Sequence, residues 1–536
     1  MTESEGNGRH FSTRSPDREW DTVVIGSGMG GMTTAALLAK LGQRVLVLEQ
    51  HYVPGGFTHT FKRKRWVWDV GVHAVGEVSD AALLGRVLHG LTDGRLEWAS
   101  LGGVYDEFHY PDLRIDFPDN RPAFVDAVCE AFPDERDAMR QYLQATREVL
   151  DQMKRWYLGR ILPASLGPTA DRTFARHAAR LLAQRTGDVL ARFSRNERFT
   201  SVLTSQWGYY GSPPTRSSWG IHALVARHFF HGGYYPVGGA SRIAECLLAT
   251  VANAGGWTRI RSPVREIVVR DGRAVGVTLE GGEEIRARRV VSAAGAHATV
   301  DSLLPESHRA SAWARSFAPL AQSPAHVCLY LGFKGDIRAA GASAANKWFY
   351  ESWRSDWDAW HADDPRADAP VLYCSFPSLK DPDHDPGPDL LHTGEVVTFV
   401  PYDMFAPWRD GRWRRRGEEY ESLKKSLEQR LLDQFLRHLP ALRPHVAFAE
   451  LSTPISTEHF TRSPRGAIYG LEPTPARFAN RWLRPRTPIP GLFLSGCDVG
   501  TVGVMGAMLG GVLSATAAEP VAALRYLRDF AKPIHV

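Results

Sequence analysis

The plainest chemistry in this chain belongs to the glycines of "VIGSGMGGM", residues 24–32. Gly26, Gly28 and Gly31 make a GxGxxG spacing, with Gly30 beside the last. In such a motif the first glycine permits a tight turn and the second lets backbone approach a pyrophosphate. The third lets a helix lie close on a strand. Glu49 closes the next apolar run, "RVLVLE", where an acid can accept from the hydroxyls of a ribose. The chemistry read from these residues is dinucleotide binding. An acid at Glu49 disfavours a 2′-phosphate, which argues against NADP and leaves NAD and FAD.

These residues need elements to hold them, and the local pattern supplies them. "TVVIGSG" is a short apolar strand running into glycine, and "MTTAALLAKLG" has helical spacing closed by Gly42. A helix beginning there points free N–H groups at the phosphates. Strand, helix, strand and terminal acid are in register, which is the context the motif requires.

Downstream, "HYVPGGFTHTF" places Gly55 and Gly56 soon after the acid, and "WVWDVGVH" follows. A second glycine cluster lies far away, in "GLFLSGCDVGTVGVMGAMLGG". Together these stretches resemble the phytoene desaturase and carotenoid isomerase flavoproteins, with the strongest likeness to their retinol saturase branch. Three further stretches carry the likeness: "DVGVHAVGEV", "GYYGSPPTRSSWGIHALVARHFFHGGYYPVGGASRIA" and "FTRSPRGAIYGLEPTPARF". The resemblance runs from about residue 21 to 520, and the long middle stretch is its most specific part.

The resemblance implies FAD and an α/β fold. A Rossmann-like FAD-binding domain would be interleaved with a mixed sheet-plus-helix substrate domain and a helical cap. The expected FAD-binding pieces are 21–79, 231–300 and 455–520; the cap is 80–230 and the substrate domain 301–454. Residues 1–20 and 521–536 read as tails. Beside the cofactor the likeness places Gly55, Gly56, Phe57, Thr58 and His59. Val264 would face the adenine, Gly295 would sit near the phosphates, and Asp498 would bind the ribityl or pyrophosphate region. A helix starting near Met505 and Gly506 would aim its N–H groups at the flavin pyrimidine, favouring the charge of a reduced flavin. The chain departs from the pattern at Phe57, where many relatives carry a basic residue. It departs again at "FTHT", where retinol saturases tend to carry cysteines.

A flavin gives or takes hydride, and the protein places a substrate carbon against it. In this family His73 approaches the isoalloxazine, which makes it a candidate for proton transfer; a satisfied core histidine is the bland alternative. Tyr209, Tyr210 and His222 are expected to line the substrate cavity, with Tyr210 and His222 as further chemical candidates. The resemblance implies an oxidoreductase acting on C=C or CH–CH bonds of a long hydrophobic isoprenoid, retinoid or carotenoid-like molecule. Two other readings share the fold: a flavin-dependent cis–trans or double-bond isomerase, and a non-enzymatic prenyl-lipid carrier of the dissociation-inhibitor type. The electron partner is not legible.

Composition narrows the field. In 536 residues, 43% apolar and 23% charged, with a formal charge of +5, there is room for two or three domains and no single-sign block. That is too weak a charge for nucleic acid, but it suits a face resting on anionic lipid. Cys129, Cys246, Cys328, Cys374 and Cys497 are scattered without metal spacing, and read as reduced thiols of a cytoplasmic protein. No metal is expected. "MKRWYLGRILP", 153–163, fits either a membrane-dipping element or a buried helix edge. "WRDGRWRRRG", 408–417, fits a lipid-touching cluster or a solvated loop, and "ADDPRADAP" and "KDPDHDPGPD" read as surface loops. The segment 491–518 has the length of a membrane span. Asp498 and its dense glycines favour a strand, a tight turn and a buried helix.

Overall fold

A computed structural model describes residues 10–353, 359–364 and 366–531 of the chain. The opening strand, Trp20–Ile25, is buried along its length, as expected of a parallel strand covered on both faces. It pairs in parallel with Val45–Leu48 on one side and with Ala287–Ser292 on the other. Leu492–Leu494 joins beyond, parallel to Val290–Ser292. The long strand Glu284–Ser292 therefore serves twice. Its second half belongs to the parallel sheet, while its first half pairs antiparallel with Arg273–Leu279, which in turn pairs with Val264–Arg270. Turns at "RDGR" and "EGGE" connect these three strands.

Two regions differ from the expected tails. Phe11–Ser12 is an edge strand, parallel to Trp257–Arg259, so the sheet begins before residue 20. Residues 1–9 lie outside the described residues. At the other end, Pro520–Arg528 is helical, and the Phe530 ring meets the position a Cβ would take on Gly90. Tyr526, Leu527 and Phe530 hold the C-terminal helix against the core, while its Val521 and Leu524 stay exposed.

The helix Met29–Lys40 packs against Gly503–Ala518, and glycines set the distance. A Cβ on Gly30 would lie 2.3 Å from the Gly496 Cα, and one on Gly510 would lie 2.0 Å from the Gly496 oxygen. The glycine spacing that mimics a membrane helix thus serves close packing inside a domain. The expected strand, turn and helix are all present, at Leu492–Leu494, 495–502 and Gly503–Ala518.

A second sheet has seven strands, in the order Val446–Ser452, Ala325–Lys334, Leu391–Val400, Val371–Ser375, Asn346–Tyr350, Val104–Tyr110 and Leu113–Pro118. Its pleat sorts side chains by parity. Val327, Leu329, Leu331, Leu372, Cys374, Val396 and Val400 form a core with Leu427, Leu431 and Phe435 of the helix Glu418–His438. Trp348, Tyr373 and Phe399 point the other way, into a core shared with the helical region. That region is less purely helical than its sequence suggests, because the hairpin 104–118 leaves it to extend the second sheet. After that hairpin comes the helix Arg121–Ala131, capped by Asn120, whose side chain accepts from the Ala123 N–H at 3.0 Å. The long Arg136–Arg160 follows. Over 175–193 the chain forms two helices, Arg176–Leu182 and Thr186–Leu190.

Candidate active site

One cavity of about 1640 Å³ runs between the two sheets. This exceeds the roughly 300–1,000 Å³ typical of a pocket for one small ligand, so it has room for a cofactor and a second molecule.

Its nucleotide end is built as the sequence implies. Gly26, Gly28 and Gly30 line it, with Gly26 at φ +93°, a turn that a side chain would strain. A Cβ on Gly28 would meet no atom within 4 Å, so this backbone is bare toward the cavity. Gly31 lies behind, where a Cβ would come within 2.1 Å of the Gly26 oxygen; it lets the helix close on the turn. Glu49 is buried at the cavity wall. Its Oε2 accepts from the Ser27 N–H at 3.0 Å and the Ser27 hydroxyl at 2.5 Å, and its Oε1 from the His51 N–H at 2.7 Å. Ser27, which sequence reasoning passed over, also accepts from the Gly55 N–H at 3.0 Å. One hydroxyl therefore ties the glycine turn, the acid and the Gly-Gly pair together.

Gly56, Phe57, Thr58 and His59 line the cavity, whereas Gly55 supports them from behind. The Thr58 hydroxyl donates to the Gly55 oxygen at 2.8 Å. Val264 and Gly295 also line it. Asp498 does too, and both its oxygens hold backbone: the Ala296 N–H at 2.7 Å and the Leu471 N–H at 2.9 Å. It clasps three chain segments at the middle of the cavity.

The C-terminal helix starts two residues earlier than its sequence suggests, at Gly503. Gly503, Val504 and Ala507 face the cavity, while Met505 and Gly506 are buried in packing. A helix end reads its position from the first free N–H groups, and glycine at φ +78° begins this one. Two helix N-termini, at Met29 and Gly503, thus meet one cavity, and both favour negative charge. Bare glycine backbone, a buried acid at the ribose position and two helix ends are a donor set that fits a flavin dinucleotide.

The other end is aromatic and apolar, with Tyr209, Trp348, Tyr373, Val397 and Val400 in its wall. His73 lies between the two ends and faces the cavity. Its Nδ1 is 2.9 Å from Glu395 Oε2, off the line of a ring N–H donor. Burial pushes the imidazole down to about 3, and the Lys380 charge adds to this. Lys380 stands behind, itself lowered to about 7 by burial. It is not the surface residue expected of its loop; it is buried, and its Nζ donates to the His73 oxygen at 2.6 Å. The loop 362–370 lies partly outside the described residues.

Tyr210 and His222 are not in the cavity. His222 sits in the helical core, with Nε2 3.1 Å from the Tyr142 hydroxyl and Nδ1 3.1 Å from that of Tyr210. Burial lowers it to about 3, so it is a neutral, hydrogen-bonded core histidine. Tyr209, their neighbour, does reach the cavity and donates to Asp106 Oδ1 at 2.7 Å. The cluster 408–417 contributes Arg409, Asp410, Gly411 and Arg416 to the cavity rim.

Comparison with known proteins agrees with this geometry. The all-trans-retinol 13,14-reductase of Danio rerio is 31% identical over 533 residues, 93% of this chain and 86% of that one. Prolycopene isomerase 1, chloroplastic, of an Oncidium hybrid cultivar is 26% identical over 472 residues, 85% and 76% of the two chains. The crystal structure of an oxidoreductase from Methanosarcina mazei shares the fold at a TM-score of 0.62 and 15% identity, covering 92% of this chain and 98% of its own. The profile of the family described as "Flavin containing amine oxidoreductase" matches residues 29–518. The chain therefore belongs to the flavin-containing amine oxidoreductases, in the branch that holds retinol reductases and prolycopene isomerases, and is an FAD-dependent oxidoreductase.

Proposed function

We propose that this enzyme adds hydrogen to, or removes it from, a C=C bond of a long hydrophobic isoprenoid, retinoid or carotenoid-like substrate. The observation that carries this reading is one continuous cavity, which joins a dinucleotide cradle to an aromatic and apolar wall past His73. Bound FAD supplies hydride exchange. The residues proposed to hold it are Gly26, Gly28, Gly30, Gly31, Glu49, Ser27, Gly55, Gly56, Phe57, Thr58, His59, Val264, Gly295, Asp498 and the helix end at Gly503. Val397, Val400, Trp348 and Tyr373 would lay an unsaturated chain beside the cofactor and exclude water from it. Between the two ends of the cavity His73 is able to hold or release a proton at a nitrogen, and His326 lines the cavity as well.

The test is anaerobic incubation of the FAD-loaded, chemically reduced protein with all-trans-retinol, followed by mass spectrometry and flavin absorbance. Gain of two hydrogens with reoxidation of the flavin is the expected result. The prolycopene isomerase relative favours a second reading, isomerisation, and product of unchanged mass with unchanged flavin absorbance would select it. No product of either kind would reject the substrate assignment.

A peripheral membrane contact completes the proposal. Among the described residues no helix is long and apolar enough to cross a membrane. In 153–163, however, Met153, Trp156 and Arg160 are buried, whereas Lys154, Arg155 and Leu158 face out. Leu158, Leu166 and Phe174 are exposed large apolar residues, about half accessible each, at 54%, 54% and 45%.

A further inference from the structure

Behind His73, three carboxyl groups and one ammonium are sealed from solvent, and their partners differ in kind. Asp106 receives three donors: the Tyr209 hydroxyl at 2.7 Å, Asn346 Nδ2 at 3.0 Å and Gln206 Nε2 at 3.0 Å. Asp69 accepts from the Ala240 N–H at 3.1 Å and from the Tyr235 hydroxyl. Each is therefore held by at least two donors. Lys380 donates to the His73 oxygen, to Ser375 Oγ at 2.7 Å and to Asn346 Oδ1, all uncharged acceptors, as an ammonium would. Glu395 is different. Its side chain is fully buried, and no side-chain donor reaches either oxygen in good geometry; the Asp69 backbone N–H lies beside it. His73 Nδ1 is 2.9 Å from its Oε2. One cation cannot offset three buried anions, and the carboxylate with the fewest donors is the costliest of them. The uncharged form belongs on Glu395.

We propose that Glu395 is a protonated carboxyl that relays one proton to substrate through His73, with Lys380 as the charge that stabilises the carboxylate left behind. This rests on the reading of the cavity as a site for C=C chemistry. In the saturating direction the His73 Nε2–H bond breaks as a substrate C–H bond forms, and the Glu395 O–H bond breaks as an N–H bond forms at Nδ1. The imidazole stays neutral before and after. The hydride is supplied separately by reduced FAD, and the lost proton returns from solvent between turnovers. Desaturation runs the same relay backwards.

The surroundings suit this. Burial pushes the Glu395 carboxyl well up, and the Lys380 charge and the Asp69 backbone N–H offset only part of that. The other titratable groups around it are Cys328 and Tyr330 on the paired strand, Tyr373 on the next strand, and Asp69 and Tyr235 beyond. Burial holds the thiol and the three phenols in their neutral forms. Lys380 is thus the nearby cation. It acts through Glu395 and is a positioning residue, whereas His73 would touch the substrate.

Infrared spectroscopy of the FAD-loaded protein tests the charge state without any substrate. The wild type at pH 7 should show the carbonyl stretch of a buried protonated carboxyl, shifted in D₂O and lost in Glu395→Gln. In Lys380→Met the same band should persist to higher pH, because the carboxylate has lost its cation. A wild-type spectrum without this band, or one that survives Glu395→Gln unchanged, overturns the proposal. With all-trans-retinol as probe, Glu395→Gln should lower kcat roughly 100-fold or more with little change in KM. A variant that binds FAD and turns over at the wild-type rate also overturns it. If retinol reacts with no form of the protein, the substrate reading fails and the infrared result alone decides the relay.

Discussion

Glu49 and Tyr210 mark two kinds of buried polar residue. Glu49 is buried at the cavity wall, where its proposed role is to hold a ribose. Hydrogen bonds to charged groups contribute about 1.5–3 kcal/mol. Glu49→Ala should therefore weaken FAD retention roughly 10- to 100-fold, read by dialysis and flavin absorbance; undiminished retention would remove Glu49 from the ribose site. Tyr210 serves His222 instead. Tyr210→Phe leaves a buried imidazole nitrogen short of a partner, at a cost of about 1–3 kcal/mol of stability. FAD content and turnover should stay near wild type, and a kinetic loss without a stability loss would return Tyr210 to the chemistry.

At the scale of elements, the second sheet serves two environments because it has two faces. Val397 on one face alternates with Val396 on the other, so one strand feeds both the cavity side and the helix-backed core, and Val400 at its end touches both. The helical region has its own division. The buried row of Arg136–Arg160 anchors it, and the outward row ends in Lys154, Arg155 and Leu158. Phe174 adjoins this end, within 3.8 Å of the position a Cβ would take on Gly159. Apolar groups flanked by basic ones suit an anionic bilayer surface. The protein should co-sediment with phosphatidylserine-containing vesicles more than with neutral ones, and Leu158→Glu with Phe174→Glu should reduce this several-fold. Equal recovery with both kinds of vesicle, unaffected by the substitutions, would end the membrane proposal.

For the whole molecule, acid response follows from what is buried. His222 and His326 are pushed by burial to about 3 and about 4, against an ordinary value of 6.5. Between these values the unfolded chain binds protons that the native chain refuses, so stability falls as pH drops through 6.5 toward 4. Asp69, raised by burial to about 7, works in the opposite sense: its contribution is present in acid and is lost as pH rises toward 7. Each full proton changes stability by at most about 1.4 kcal/mol per pH unit. His222→Gln should accordingly flatten the decline between pH 6.5 and 5, measured from urea midpoints. An unaltered slope would show that His222 is protonated in the native state.

Much of the nucleotide end was legible because its signals are local. Strand, glycine turn, helix and acid fall within thirty residues, and the turn geometry admits only glycine at Gly26. The resemblance supplied the distant pieces at Val264, Gly295 and Asp498, and the parallel pairing of Ser292 with both Ile25 and Leu494 is what brings them together. Other readings went astray where burial is decided by neighbours far along the chain. Phe11–Ser12 became a strand because an edge at Trp257–Arg259 was open to it. His222 became a core residue because Tyr142 and Tyr210 flank it.

The order of residues by itself pointed to a dinucleotide and to the glycines and acid proposed to cradle it, since these depend on backbone conformation within one βαβ unit. Only the tertiary structure decided that Glu395 and Lys380 stand behind His73. They lie more than three hundred residues from it in sequence. Strand pairing, pleat parity and the sealing of a loop against the sheet set their protonation, and none of these is written in local pattern.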